Sequence, residues 1–419
     1  MRFKVLPLVL LFVILITSWA LAADKLTSLT LSVGSAQQKT VARLVQVFEK
    51  ANPNIKVNLL VLPAVSSQQY DRLVPLFMAR DSSLDVLYMD IIWPGTFATS
   101  GWLEPLDRYY TRNMQKEFLE GTVNANRVNG KIYGVPFFTD GGLLYYRKDL
   151  LDKYGYKPPQ TWDELISVAQ NVVEKEKDPN LSGFLFQGAR IEGVTCNYLE
   201  YLWGMGGDVL DKKGKVIVDN EKGQAALQLM YDLIYKYKVA PQSVNTQIPD
   251  DSRIAFLQGR AVFMRNWTFA WASLQVDPSV VKGKVGVVPI PHAAGYKSAS
   301  TLGGWNLAIS RFSKKKEQAW KLVQFLTNFE SQKDMALNES TLPTRDAVYQ
   351  DPAVLAQNPW FSSFHAGLTA GHPRPLHPLY VKISDVIQQE INAALAKLKT
   401  PDEAMKTIGQ RVRDIVAKK

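Results

Sequence analysis

The chain has 419 residues, 46% of them hydrophobic and 21% charged, a globular composition with too much chain for one ordinary domain. Its one cysteine, Cys196, excludes an internal disulfide, so the fold must stand on its core, and Cys196 reads as a small buried residue. The net charge of +10 is dispersed, and Lys314-Lys315-Lys316 reads as a solvated helix start, which argues against nucleic acid as a partner.

The first residues carry Arg2 and Lys4, then the apolar run Leu6–Ile16, then Ala20-Leu21-Ala22. A positive start, an apolar stretch and a small-x-small site describe a cleaved signal peptide over residues 1–22. The alternative is an uncleaved anchor, for which the run is short. Cys196 lies far from this site, so there is no lipid-bearing cysteine, and the expected location is the periplasm.

Leu29–Val33 reads as a strand. Val41, Leu44, Val45 and Phe48 recur at i, i+3, i+4 and i+7, which predicts a helix over about 37–51, stopped by Asn52-Pro53. Ile55–Leu62 is nearly continuously apolar, as in a parallel strand covered on both faces. A helix over about 67–80 and a strand Asp85–Met89 follow, ending in Asp90. Ile132–Leu151 reads as two strands joined through Asp140 and the flexible pair Gly141-Gly142, a place where the chain would cross between lobes. Thr161 and Glu164 form a capping box. Glu221–Lys238 is a helix; Ala261–Arg265, Lys284–Pro291 and Thr301–Ile309 are strands; Glu317–Asn328, Tyr380–Leu398 and Pro401–Ala417 are helices. Strand and helix alternate on both sides of Asp140, which predicts two α/β lobes.

Asp90 closes an apolar strand, where open α/β sheets gather ligands; it equally suits the cap of the next helix. Asp140 offers a charged acceptor for adjacent sugar hydroxyls, or is simply a turn residue. Trp267 and Trp305 stand at a strand end and in a Gly-Gly-Trp loop, where an indole face suits the C–H face of a pyranose; core packing is the other reading. Trp271 reads as core. Arg374, between two prolines, is either a held fork for hydroxyls and carboxylates or a surface residue. His365, His372 and His377 match no zinc spacing, and hydrolase, zinc-protease and phosphate-loop motifs are missing, so neither metal nor cofactor is expected.

Several stretches together resemble the extracellular solute-binding proteins of sugar ABC importers, family 1. They are Phe48–Val57, Asp85–Asp90, Gly101-Trp102-Leu103-Glu104-Pro105-Leu106, Tyr133-Gly134-Val135-Pro136, Ala255–Ala261 and Gly303-Gly304-Trp305. Met89-Asp90 with Trp93, Thr139–Arg147, Met264-Arg265-Asn266-Trp267 and Arg374-Pro375 look most like its trehalose/maltose-binding members. The resemblance implies a hinged two-lobe clamp with crossings near Phe138–Gly141, Pro289–Pro291 and Asn328–Ser331. Residues 23–138 and 290–328 would form the N-terminal lobe, and 139–289 and 329–419 the C-terminal one. It implies sugar contacts from Asp90, Asp140, Trp267, Gly304, Trp305 and Arg374. This chain has Gln37 and Gln38 where that subgroup has an acid, Gln68, Gln69 and Tyr70 where it has an arginine, and Phe138 in place of a tyrosine; Gln38, Gln69 and Phe138 join the expected site. The implied function is capture of an oligosaccharide, such as an α-glucoside disaccharide, and its delivery as a monomer to membrane permease subunits. Two rivals remain: a secreted hydrolase or lyase using Asp90 and Asp140, and the same fold binding a polyol or another solute.

Overall fold

The computed structural model describes residues 26–211, 213–361, 372–375 and 377–417. The expected leader, His365 and Gly371 lie outside them. The chain adopts the expected two-lobe α/β fold.

β1 (Thr27–Gly34) and β2 (Ile55–Leu62) pair in parallel across the helix Gln38–Ala51. That helix buries Val41, Leu44, Val45 and Phe48, the stripe its periodicity predicts. β3 (Val86–Asp90) pairs on the other side of β1. A small hairpin, β4 (Arg127–Val128) and β5 (Lys131–Ile132), precedes β6 (Val135–Arg147). β7 (Ser182–Leu185), β8 (Ala261–Trp267), β9 (Val285–Val288) and β10 (Leu302–Ile309) complete the sheet. Its order is β2-β1-β3-β10-β6-β8-β7, with β9 also on β6. Parallel pairs stand at both ends, and the centre, where β10 and β6 run through, is antiparallel.

Three expectations change. β2 is an edge strand and is not covered on both faces: Lys56 and Val61 are exposed, while Ile55 and Leu62 are buried. Asp140-Gly141-Gly142 is no turn. β6 is one continuous strand of 13 residues that carries the chain from one core to another. Val135, Phe137 and Phe138 pack with Leu29, Val86 and Leu307; Leu143, Leu144 and Tyr145 pack with Phe184, Phe263 and Tyr198. Gly142 is needed for space instead of flexibility, because a Cβ there would lie 2.0 Å from Glu200 Oε1 and 2.6 Å from Arg265 Nη2.

The passage expected at Pro289–Pro291 is displaced. His292 N donates to Gln160 O at 3.1 Å and Ala293 N to Gly204 O at 3.0 Å, so the segment after the prolines stays on the second core, to which Ile290 and Ala299 belong. The chain returns within β10, where Leu302 packs on the second core and Leu307 and Ile309 on the first. Ile290 and Ala299 therefore pack with the second core. Near the remaining expected passage, Asn328 caps the helix Phe329–Glu339 by accepting from Ser331 N at 2.8 Å, and that helix places Met335 in the first core and Ala336 in the second.

Candidate ligand-binding cleft

The strand register assembles the site. Trp305 stands opposite Asp90 on β3 and Phe138 on β6; Gly303 stands opposite Asp140; Gly142 stands opposite Trp267 on β8. Around this line lies a cleft of about 1050 Å³, open solvent at its mouth included. Asp90, Asp140, Trp267, Gly304, Trp305, Arg374, Gln69 and Phe138 all line it. Gln38 does not. It is exposed on the first turn of its helix, and its neighbour Gln37 lines the cleft instead, accepting from the Tyr88 hydroxyl at 3.0 Å. A short 3-10 turn, Ser35–Gln37, precedes the helix and shifts the register by one residue.

Asp140 presents one oxygen. Its Oδ1 accepts from Thr268 Oγ1 at 2.7 Å, Gly141 N at 2.8 Å and Thr268 N at 3.0 Å, and Oδ2 accepts from none of the described residues. Burial pushes its carboxyl up to about 6, against the pull of the Thr268 hydrogen bonds. Asp90 is engaged on both oxygens. Oδ2 accepts from Ser66 Oγ at 2.6 Å, and Oδ1 faces Ile92 N at 3.2 Å and Arg374 Nη2 at 3.6 Å. It therefore caps the following segment and borders the cleft at once. Burial raises its carboxyl, opposed by Arg374.

Arg374 is a buried bridge and not the surface residue that was its other reading. Its Nη1 donates to Glu192 Oε1 at 2.9 Å, and its Nε has no partner among the described residues. Glu192 gave no signal in the sequence. It opens the helix Glu192–Trp203, in which every residue is buried, and also accepts from Tyr380 Oη at 2.7 Å. Cys196, one turn further on, is buried as expected but also lines the cleft.

Each indole is backed on one face. Trp305 stacks on Tyr88 with centroids 4.1 Å apart and planes 9° apart, and meets Trp93 edge-on. The Arg265 guanidinium lies 4.2 Å from the Trp267 ring centroid. Trp271 packs on the second core beside Trp360, as its core reading expects. Gly304 has φ +140°, and a Cβ would approach Phe138 O to 2.8 Å, so only glycine lets β10 pass β6 here. Gln69 is 1% exposed, and its Oε1 accepts no hydrogen bond among the described residues. The arrangement offers acceptors for hydroxyls between two apolar plates.

Residues 31–333 match the family of bacterial extracellular solute-binding proteins. The chain belongs to this family. It is 37% identical over 365 residues to a probable ABC transporter-binding protein of Deinococcus radiodurans, covering 85% of this chain and 86% of that one. It is similar to maltose-bound MalE3 of T. maritima, with 43% identity, a TM-score of 0.90, and 93% and 100% of the two chains covered. It is also similar to the GacH receptor of Streptomyces glaucescens, solved unliganded and with acarbose, with 27% identity, a TM-score of 0.83, and 94% and 99% covered. Extracellular solute-binding proteins capture solutes and are not enzymes. Among the described residues no helix is long and apolar enough to cross a membrane.

Proposed function

We propose that this solute-binding protein captures an α-linked glucose disaccharide, maltose or trehalose, in the periplasm and delivers it to the permease subunits of an ABC importer. The observation that carries this reading is the pairing of Asp140 Oδ2, an acceptor without a donor among the described residues, with Trp267 and Trp305 around one cleft. Vicinal hydroxyls donate to carboxylates, and the indole plates cover pyranose C–H faces. Apolar area removed from water contributes ~25 cal/mol per Å², a few kcal/mol per stacked ring. The similarity to maltose-bound MalE3 and to the acarbose-binding GacH receptor supports a glucoside. Asp90 is tied to Ser66 and Arg374, which speaks against an acid–base pair with Asp140. The protein works as a monomer, with its signal peptide removed; the sugar contacts both halves and favours the closed form.

Maltose and trehalose are expected to change the intrinsic tryptophan fluorescence and to raise the melting temperature. A ligand at a hundred times its Kd stabilises by ~2.7 kcal/mol. Trp267→Ala is expected to remove the fluorescence response. No shift with either sugar, set against a clear shift with a polyol such as mannitol, would move the assignment to the polyol reading.

A further inference from the structure

We propose that the buried ion pair Arg265–Glu200 is a positioning unit for the cleft. It holds the Trp267 indole from behind and ties the start of β10, which carries Trp305, to the same carboxylate.

The pair lies wholly inside the molecule, with side chains 2% and 1% exposed. Arg265 Nε donates to Glu200 Oε2 at 2.8 Å, and Nη2 donates to Oε1. Two charges taken out of water are an expensive way to fill a core, and well-packed apolar residues of similar volume often fill such a place as stably. The position asks for a further job, and its surroundings supply one. The guanidinium lies 4.2 Å from the centroid of the Trp267 ring, on a residue that lines the cleft. Its plane is fixed by the fork on Glu200 and by Gln187, whose Oε1 accepts from Nη1 at 3.3 Å. The indole thus rests on a plate that cannot rotate. The backbone beneath it is held as well, since Tyr145 Oη donates to Trp267 O at 2.8 Å.

Glu200 reaches the other indole through the chain. Its Oε1 accepts from Thr301 N at 3.2 Å, immediately before β10 and four residues before Trp305. Gly142 on β6 leaves the pair its space. The strands bearing Asp140, Trp267 and Trp305 therefore meet on a single ion pair.

The test uses the full chain with Arg265→Met and Glu200→Leu combined, which removes both charges and leaves neither unpaired. Two readouts are needed. The first is ligand-free: the near-UV circular dichroism due to Trp267, taken as the difference from Trp267→Ala in each background. The second is the Kd for maltose, which rests on the sugar-binding reading. The expected result is a cooperative melt like that of the parent, a collapsed Trp267 difference spectrum and a Kd weakened tenfold or more. A retained spectrum, or a Kd within twofold of the parent, overturns the proposal. Arg265→Lys keeps the charge but not the planar fork. It is expected to move both readouts in the same direction, and it decides the question if the double variant does not fold. If the parent binds neither maltose nor trehalose, the sugar reading fails by itself, and the spectrum still decides whether the pair holds the indole.

Discussion

Gly142→Ala is expected to destabilise the ligand-free protein by about 3 kcal/mol or more, because a buried ion parted from its counter-ion costs about 3–5 kcal/mol. The added methyl would sit 2.0 Å from Glu200 Oε1 and 2.6 Å from Arg265 Nη2, and neither end has room to give. Both side chains are enclosed, and Oε1 already receives Thr301 N at 3.2 Å. The loss is read as a lower melting temperature without added sugar. This differs from what a flexible Gly-Gly hinge entails, where bulk at Gly142 would weaken closure and leave the folded halves intact. An unchanged melting temperature would return Gly142 to the hinge role. The partner experiment introduces Gly142→Ala into Arg265→Met/Glu200→Leu. There the clash has lost its object, so the second cost is expected to be much smaller than the first, a non-additivity that contacts of this kind produce.

What was legible in the sequence is what short stretches of chain decide. The stripe Val41, Leu44, Val45 and Phe48 is one helix face whatever it packs on, and the capping box at Thr161 closes as expected, with Thr161 N donating to Glu164 Oε2 at 3.2 Å. Asp90 and Trp267 announce themselves as polar or aromatic groups at strand ends, and both reach the cleft. Trp305 stands within β10, at the register shift beside Asn306. What remained hidden depends on sheet order. Nothing near Ile55 says that β2 is an edge. Glu192 meets Arg374 across 182 positions, from a helix buried all round whose pattern marks no face. Gly142 looked like a flexible joint because the ion pair that requires it comes from Glu200 and Arg265, each more than fifty residues away in the chain. The path after β9 is hidden for a related reason. Prolines end β9, but backbone bonds to Gln160 and Gly204 keep the following segment where it was.

Sugar affinity is expected to fall as the solution is acidified through pH 6, while the ligand-free protein becomes more stable over the same range. Both follow from Asp140. Burial raises its carboxyl to about 6 from an ordinary 3.8, so between those values the native state holds a proton that the unfolded chain has released. Stability falls with rising pH wherever the native state binds more protons, and that contribution is lost as the pH climbs through 6. The sugar has the opposite preference. Its hydroxyls donate, so they favour the carboxylate over the acid, and only the ionised form presents Oδ2 as a charged acceptor. Each pH unit below 6 then reduces the apparent affinity by up to about tenfold, until the acid form's own weak binding sets the floor. Glu339, pushed by burial to about 7, adds to the stability trend but does not line the cleft; Asp90, also raised by burial, does line it. Asp140→Asn separates these contributions. It is expected to weaken the sugar at pH 8 by roughly 1.5–3 kcal/mol, about ten- to a hundredfold, as loss of a charged acceptor does. It should also flatten the affinity profile between pH 5 and 7. A parent whose Kd is constant from pH 5 to 8 would remove Asp140 as the charged acceptor, and a variant that keeps the slope would pass the titration to Asp90.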